Sequence, residues 1–410
     1  MPDAVENDPN AIIREIVQAI RGAAAEEGFV ACGIAPAVDS QGFPDLVRWI
    51  DAGYHADMEY FPNRLDAYRN PGGVLPGAKS VVALAWPYSA LDRSGEDAEV
   101  SAAGRDGEDG EAGVGKVARY TWQATDYHDV IHPKLKRICR TVLQICPTAN
   151  ARGIVDTAPL MEREFAQLAG LGWRGKNTLL LNKTLGSYFF LACVLVDVEL
   201  PADTPHQSDH CGTCTACLDA CPTDAFVGPH VLDASRCISY LTIESREMIP
   251  EPLREGIGDW LFGCDVCQEV CPWNRKQTKR AMSDESAMQS EWRLSQDTPR
   301  GLMELATLFH LDEEAFRDRF RKSPMWRTRR RGLLRNAAIV LGNVGNTEHA
   351  DALIRGMRDA EPIVRASSAW AGKRILARFP AAPRRHALAT ELKRLTIDEQ
   401  SEIVRAELPT

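Results

Sequence analysis

Near the start of the chain Ile12, Ile13, Ile16, Val17 and Ile20 recur at helical spacing, and this pattern predicts an amphipathic surface helix. Over residues 11–200 such helical patterns alternate with short apolar runs, among them SVVALAWPY (80–88) and YFFLACVLVDV (188–198). That alternation predicts an N-terminal α/β or α+β domain built on a sheet. Within it LDRSGEDAEVSAAGRDGEDGEAGVG (91–115) is rich in Gly, Asp and Glu and poor in large apolar residues, so a mobile surface insertion is expected there. ELPADTPHQSD (199–209) reads as a linker into a cysteine-rich region that ends near NRKQTKR (274–280).

From about residue 300 the pattern is helical. RNAAIVLGNVGN (335–346) and VRASSAWAGKRI (364–375) match in outline, Arg335 with Arg365 and Gly342 with Gly372. Pro362 suits a first helical turn, and Asn346 or Thr347 can cap the helix holding Ala352, Leu353 and Met357. A HEAT-like repeat module packed on the rest of the protein is expected, with a plain helical tail as the alternative. The overall expectation is an α+β chain in three parts: an N-terminal α/β domain (1–200), a ferredoxin-like domain (201–285) and a helical module (286–410). A length of 410 residues agrees, being too much for one core.

Composition narrows the class. With 44% hydrophobic and 26% charged residues the chain is ordinary for a globular protein, and a net charge of −9 argues against bulk attraction to nucleic acid while leaving local patches open. No run of eighteen apolar residues occurs, and the N-terminus is acidic before it is apolar, unlike a secretory signal. A cytoplasmic protein is expected. Eight of the twelve cysteines fall between Cys211 and Cys271, which favours metal over disulfides.

CGTCTACLDACP (211–222) fits the C-x2-C-x2-C-x3-C-P pattern in which the fourth cysteine ligates a neighbouring cluster. CDVCQEVCP (264–272) repeats it without a first cysteine, since Leu261 stands there, and Cys237 is the candidate replacement. The swapped pattern assigns Cys211, Cys214, Cys217 and Cys271 to one [4Fe-4S] cluster and Cys221, Cys237, Cys264 and Cys267 to another. Paired zinc knuckles are the competing reading, but they explain neither three consecutive cysteines at this spacing nor the prolines. Cys32, Cys139, Cys146 and Cys193 read as buried apolar residues. Two adjacent clusters form an electron relay, which requires a second cofactor or an outside acceptor.

GIVDTAPLMERE (153–164) predicts a strand ending at Asp156, a turn, and a helix opening at Pro159. Asp156 then lies beyond a strand end, where it can donate a proton if burial raises its pKa, or simply cap the helix. Arg163 can pair with an anion or face solvent. GLGWRGKN (170–177) nearly matches a P-loop but follows a helix, which excludes nucleotide binding; its glycines still allow a flat cofactor to approach. In DYHDVI (126–131) Ile131 breaks a cobalamin-histidine signature, so His128 is read as structural. RDRFRKSPMWRTRRRGLLR (317–335) holds eight arginines and one lysine against one aspartate, and Arg275, Lys276, Lys279 and Arg280 add to it. A phosphate-binding face beside the redox centre is expected there.

Taken together, GYHADMEYFPNR (53–64), DYH, VDTAPLMERE, GWRGKN, both cysteine runs with CISYLTIE (237–244) between them, CPWNR (271–275) and RNAAIVLGN resemble the epoxyqueuosine reductases, in that family's order. The acidic insertion is the main departure. The resemblance implies base-off cobalamin in the N-terminal domain, reduced through the two clusters, and conversion of epoxyqueuosine to queuosine as the last step of queuosine formation. It implies Asp156 as proton donor, Arg163 as a substrate contact, and Arg64, Lys176, Asn177 and Tyr240 as residues bordering the corrinoid. The partners it implies are tRNA with a GUN anticodon and an external low-potential electron donor, with no membrane and a monomeric enzyme. A reductive dehalogenase and a plain electron-transfer subunit remain the rival readings.

Overall fold

The computed structural model describes residues 9–88, 112–275, 301–382 and 384–408. The apolar run near residue 80 forms the strand Ser80–Pro87, buried along its length. It pairs with Ala31–Pro36 on one side and Phe189–Val196 on the other, and Ala151–Ile154 completes the far edge. All three pairings are antiparallel, which corrects the expected α/β arrangement of the N-terminal part. The physical reason lies in the two faces of the central strand. Val82, Leu84 and Trp86 join one core, while Val81, Ala83 and Ala85 join the opposite one. A strand buried on both faces reads as a continuous apolar run whatever the direction of its neighbours.

The helices Pro9–Glu26 and Tyr127–Ile145 cover the first face, Ile16 and Ile20 packing with Ile131, Leu135 and Ile138. The short helix Glu162–Leu168 covers the second through Phe165 and Ala166. Its end lies directly on the strand at Gly33, where a Cβ would come within 2.1 Å of the Ala169 carbonyl oxygen. Only glycine permits that approach, and it fixes the helix that carries Glu162 and Arg163.

In the cysteine region each C-x2-C turn runs into one turn of helix, Ala216–Asp219 and Val266–Glu269. A second sheet joins distant parts of the chain. Val114–Val117 pairs in parallel with Trp260–Phe262 and antiparallel with Leu302–Glu304. Residues 112–115, expected to end a mobile insertion, are therefore a turn and the start of a strand; residues 91–111 lie outside the described residues.

The helices Arg329–Val344, Ala350–Met357, Pro362–Arg378 and Arg385–Asp398 follow, with Pro362 in a first turn and Asn346 capping the turn before Ala350, as expected. They do not form a separate core. Ile238, Leu241, Trp260 and Phe262 share one apolar cluster with Leu333, Ile339, Trp370 and Leu392. Arg335, fully buried, strengthens this join: its guanidinium donates to the carbonyls of Leu241, Ser245 and Glu247 at 2.5, 2.9 and 2.6 Å. Arg335→Ala strands those carbonyls and is expected to cost about 3 kcal/mol of stability. Denaturant unfolding checks this, and a loss below about 1 kcal/mol contradicts it.

Candidate active site and thiol centres

The strand Ala151–Ile154 ends just before Asp156, whose φ of +59° is a left-handed conformation that Asp adopts more readily than most residues. The helix beyond it opens at Glu162 with Met161 at its N-cap, not at Pro159, so Asp156 does not cap it. Instead the Asp156 backbone N–H donates to Glu162 Oε1 at 3.0 Å, and the helix holds the loop. Asp156 lines a cavity of about 920 Å³.

The start of the helix Tyr127–Ile145 meets Asp156 from the side. Tyr127 stacks on Phe190 with centroids 4.2 Å apart and donates its hydroxyl proton to Asp156 Oδ2. Burial, then the Asp156 charge, pushes the Tyr127 phenol far up, so it remains a donor. His128 Nε2 lies 3.6 Å from the same oxygen, and His128 Nδ1 lies 2.7 Å from Asp126 Oδ1. Burial lowers the His128 pKa, but the hydrogen bond and charge of Asp126 and the charge of Asp156 outweigh it and leave it raised.

Burial pushes the Glu162 carboxyl up to about 8, with the Asp156 charge adding to the effect. The poorly solvated carboxyl expected at Asp156 is thus found at Glu162, while the Asp156 side chain is 52% exposed. Arg163 lines the same cavity; burial lowers its pKa, opposed by Glu162 and Asp156.

Leu179, Leu180, Phe189, Phe190 and Leu191 give the cavity a wide apolar wall. Glu244, Arg246 and Gln268 come from the cysteine region, and Trp326, Arg327 and Arg329 from the C-terminal part. The basic run is therefore divided. Arg335 is buried, Arg330 pairs with Asp359, Arg327 pairs with Glu244 at the cavity, and Arg317, Arg321, Lys322 and Arg331 are exposed. Lys276, Lys279 and Arg280 lie outside the described residues.

The thiols collect in two sets. Cys211, Cys214, Cys217 and Cys271 line a smaller cavity of about 230 Å³. In the other set burial raises Cys237, Cys264 and Cys267, and their neighbours raise them further: Cys221 acts on Cys237, and Cys237 acts on both Cys264 and Cys267. Cys217 also acts on Cys267, so the sets adjoin. Among the described residues no group of three or more His, Cys, Asp or Glu is placed to hold a single metal ion.

Arg64, Lys176, Asn177 and Tyr240 are not among the residues lining the large cavity. Lys176 and Asn177 line the smaller one, and Lys176 Nζ donates to the carbonyls of Gly212 and Cys214 at 2.7 and 2.9 Å. Tyr240 donates to Asp57, which does border the large cavity, and Arg64 is exposed at the end of a short 3-10 turn.

The family model described as epoxyqueuosine reductase QueG, DUF1730, matches residues 69–157, and a 4Fe-4S double cluster binding domain matches residues 210–274. The epoxyqueuosine reductase of Cyclobacterium marinum is 38% identical over 329 residues, spanning 80% of this chain and 97% of that one. The chain belongs to the epoxyqueuosine reductase family. The epoxyqueuosine reductase of Pseudomonas aeruginosa is 39% identical over 360 residues, 88% of this chain and 94% of the relative. A crystal structure of epoxyqueuosine reductase with an epoxyqueuosine-modified tRNA-Tyr stem loop superposes with a TM-score of 0.79 at 28% identity, covering 96% and 97% of the two chains. Membership of this reductase family makes the chain an oxidoreductase, and the double-cluster match spans all eight clustered cysteines. Among the described residues no helix is long and apolar enough to cross a membrane.

Sequence reading passed over Tyr127 and Glu162 and took His128 as structural. The signal was the Asp126 side chain, which accepts the His128 backbone N–H and so turns the ring toward Asp156 as the helix begins. For Glu162 the raised pKa has a sign that can be measured. The folded state keeps the proton between about 4.5 and 8 while the unfolded chain has lost it, so this group's contribution to stability falls as pH rises through that window. Thermal unfolding from pH 6 to 8.5 is expected to decline less steeply in Glu162→Gln than in the parent. Equal slopes contradict the burial of an uncharged carboxyl.

Proposed function

We propose that this chain reduces epoxyqueuosine to queuosine at the wobble position of tRNA, the last step of queuosine formation. The observation that carries the reading is one cavity holding Asp156 and Arg163, bordered by Gln268 next to Cys267 and by Arg327 and Arg329. A proton donor, an anion partner, the edge of a thiol set and cationic groups for tRNA phosphates thus meet at one place.

The reaction removes an epoxide oxygen as water and leaves a carbon–carbon double bond, consuming two electrons and two protons. The wide apolar wall with polar groups at its edge fits a flat macrocycle with amide side chains, and Leu179, Leu180, Phe189, Phe190 and Leu191 are the residues that would hold base-off cobalamin. When bound, the two [4Fe-4S] clusters and the cobalamin supply the single-electron chemistry, fed by an external low-potential donor. Cys211, Cys214, Cys217 and Cys271 are the proposed ligands of one cluster, and Cys221, Cys237, Cys264 and Cys267 of the other. Cys214 is exposed, so electrons enter on its side, and Gln268 marks the side facing the large cavity.

Asp156 protonates the departing oxygen. Tyr127 and the Glu162 carboxyl orient it, one through its side chain and the other through its backbone N–H. Arg163 contacts the substrate. Arg317, Arg321, Lys322 and Arg331, exposed on the helical part, engage the anticodon stem-loop of a tRNA with a GUN anticodon. The stacked helix pairs support a HEAT-like module, and the chain is read as a cytoplasmic monomer.

Asp156→Asn keeps the shape of the loop and removes the acid. It is expected to lower turnover at least about 100-fold while iron content and bound corrinoid, read by absorbance, stay at parent levels. Retained turnover in this variant would sink the assignment of Asp156.

A further inference from the structure

We propose that His128, oriented by Asp126, returns the proton to Asp156 between turnovers, so that Asp126, His128 and Asp156 act as one relay. The inference rests on Asp156 being the proton donor and deepens that reading.

Three observations carry it. His128 Nδ1 is 2.7 Å from Asp126 Oδ1, which fixes the ring and leaves Nε2 as the nitrogen facing Asp156 Oδ2, 3.6 Å away. That Nε2 is buried with no hydrogen-bond partner, a costly state unless a proton or a ligand group completes it. The separation from Asp156 is a little long for a hydrogen bond, as is common before substrate tightens a site. Finally, His128 lines the same cavity as Asp156, so water that enters it after product release can reload the ring, whereas Tyr127 binds its proton too firmly to serve as a source.

The transfer balances. Doubly protonated His128 gives the Nε2 proton to the Asp156 carboxylate after Asp156 has released its own to the departing oxygen. Neutral His128 then keeps the Nδ1–H that Asp126 accepts, and water entering the cavity after product release restores the Nε2 proton. No oxidant or further reactant is required. Glu162 instead meets Asp156 through its Oε1, which accepts the Asp156 backbone N–H.

His128 acts through Asp156, so it is a positioning and proton-returning residue, and its test has to separate that from support of the fold. The charged and titratable groups around the ring are Asp126, Tyr127, Asp129 and His132 on its own helix, Asp156 on the loop, and Arg327 from the C-terminal part, with Glu162 reaching Asp156 from the helix beyond. In the cluster- and corrinoid-loaded enzyme, His128→Ala is expected to lose at least 10-fold in steady-state turnover. Added imidazole is expected to recover most of that loss. Independently of activity, peptide-level mass spectrometry of diethylpyrocarbonate labelling gives the pH at which His128 becomes reactive. That midpoint is expected to fall by about 1 unit in Asp156→Asn, since removing a nearby carboxylate removes support for the charged ring. An unmoved midpoint, or a His128→Ala enzyme that imidazole does not help, overturns the relay. Because Asp156→Asn turnover is measured separately, an active Asn variant overturns the proton-donor reading itself, and an inactive one with a negative His128 result overturns only the relay.

Discussion

The strand Val114–Val117 lies between Trp260–Phe262 and Leu302–Glu304, and that join helps to set the position of the catalytic groups relative to the thiols. It ties the N-terminal sheet region, the cysteine region and the helical part into one body. The apolar cluster that runs from Val117 through Phe262 to Leu408 reinforces it, as do the bonds from Arg335 to Leu241, Ser245 and Glu247. Electron transfer falls steeply with distance, so a relay has to sit rigidly against its acceptor. A shared core supplies that rigidity better than a linker between independent domains.

Around Asp156 the chain stores a small amount of strain for precise placement. A left-handed Asp costs of order 1 kcal/mol. Tyr127, Glu162 and the sheet end at Ile154 together hold it there. The site divides its carboxyls by solvation. Glu162 is half-buried and held toward the uncharged form, while Asp156 is more exposed to the cavity and meets two donor-bearing rings. Such separation of neighbouring carboxyls by environment is a common means of giving them different work.

The double-cluster region was legible in the sequence because ligand spacing is local: C-x2-C-x2-C and the C-P pairs survive any fold, whereas the place of Cys237 rests on a gap in that pattern. The helix near Ile16 and the strands at Ser80 and Phe189 were legible from periodicity. Strand direction was not, since Val81 and Val82 are buried on opposite faces and an unbroken apolar run carries no sign of its neighbours' orientation. The cavity wall was hidden for a different reason. Trp326 and Arg329 meet Phe190 and Asp156 only after chain segments more than a hundred residues apart have packed, and within the sequence they look like part of one basic stretch. Lys176 looked like a corrinoid contact in a glycine loop, yet its ammonium is taken up by the Gly212 and Cys214 carbonyls.

One product tests the central claim most directly. Anaerobically reconstituted protein is given a strong reductant and tRNA containing epoxyqueuosine, with and without cobalamin, and the digested nucleosides are examined by mass spectrometry. The account predicts that the modified nucleoside loses the mass of one oxygen, and only when cobalamin is present. An unchanged nucleoside from enzyme shown to carry both clusters and corrinoid would contradict it.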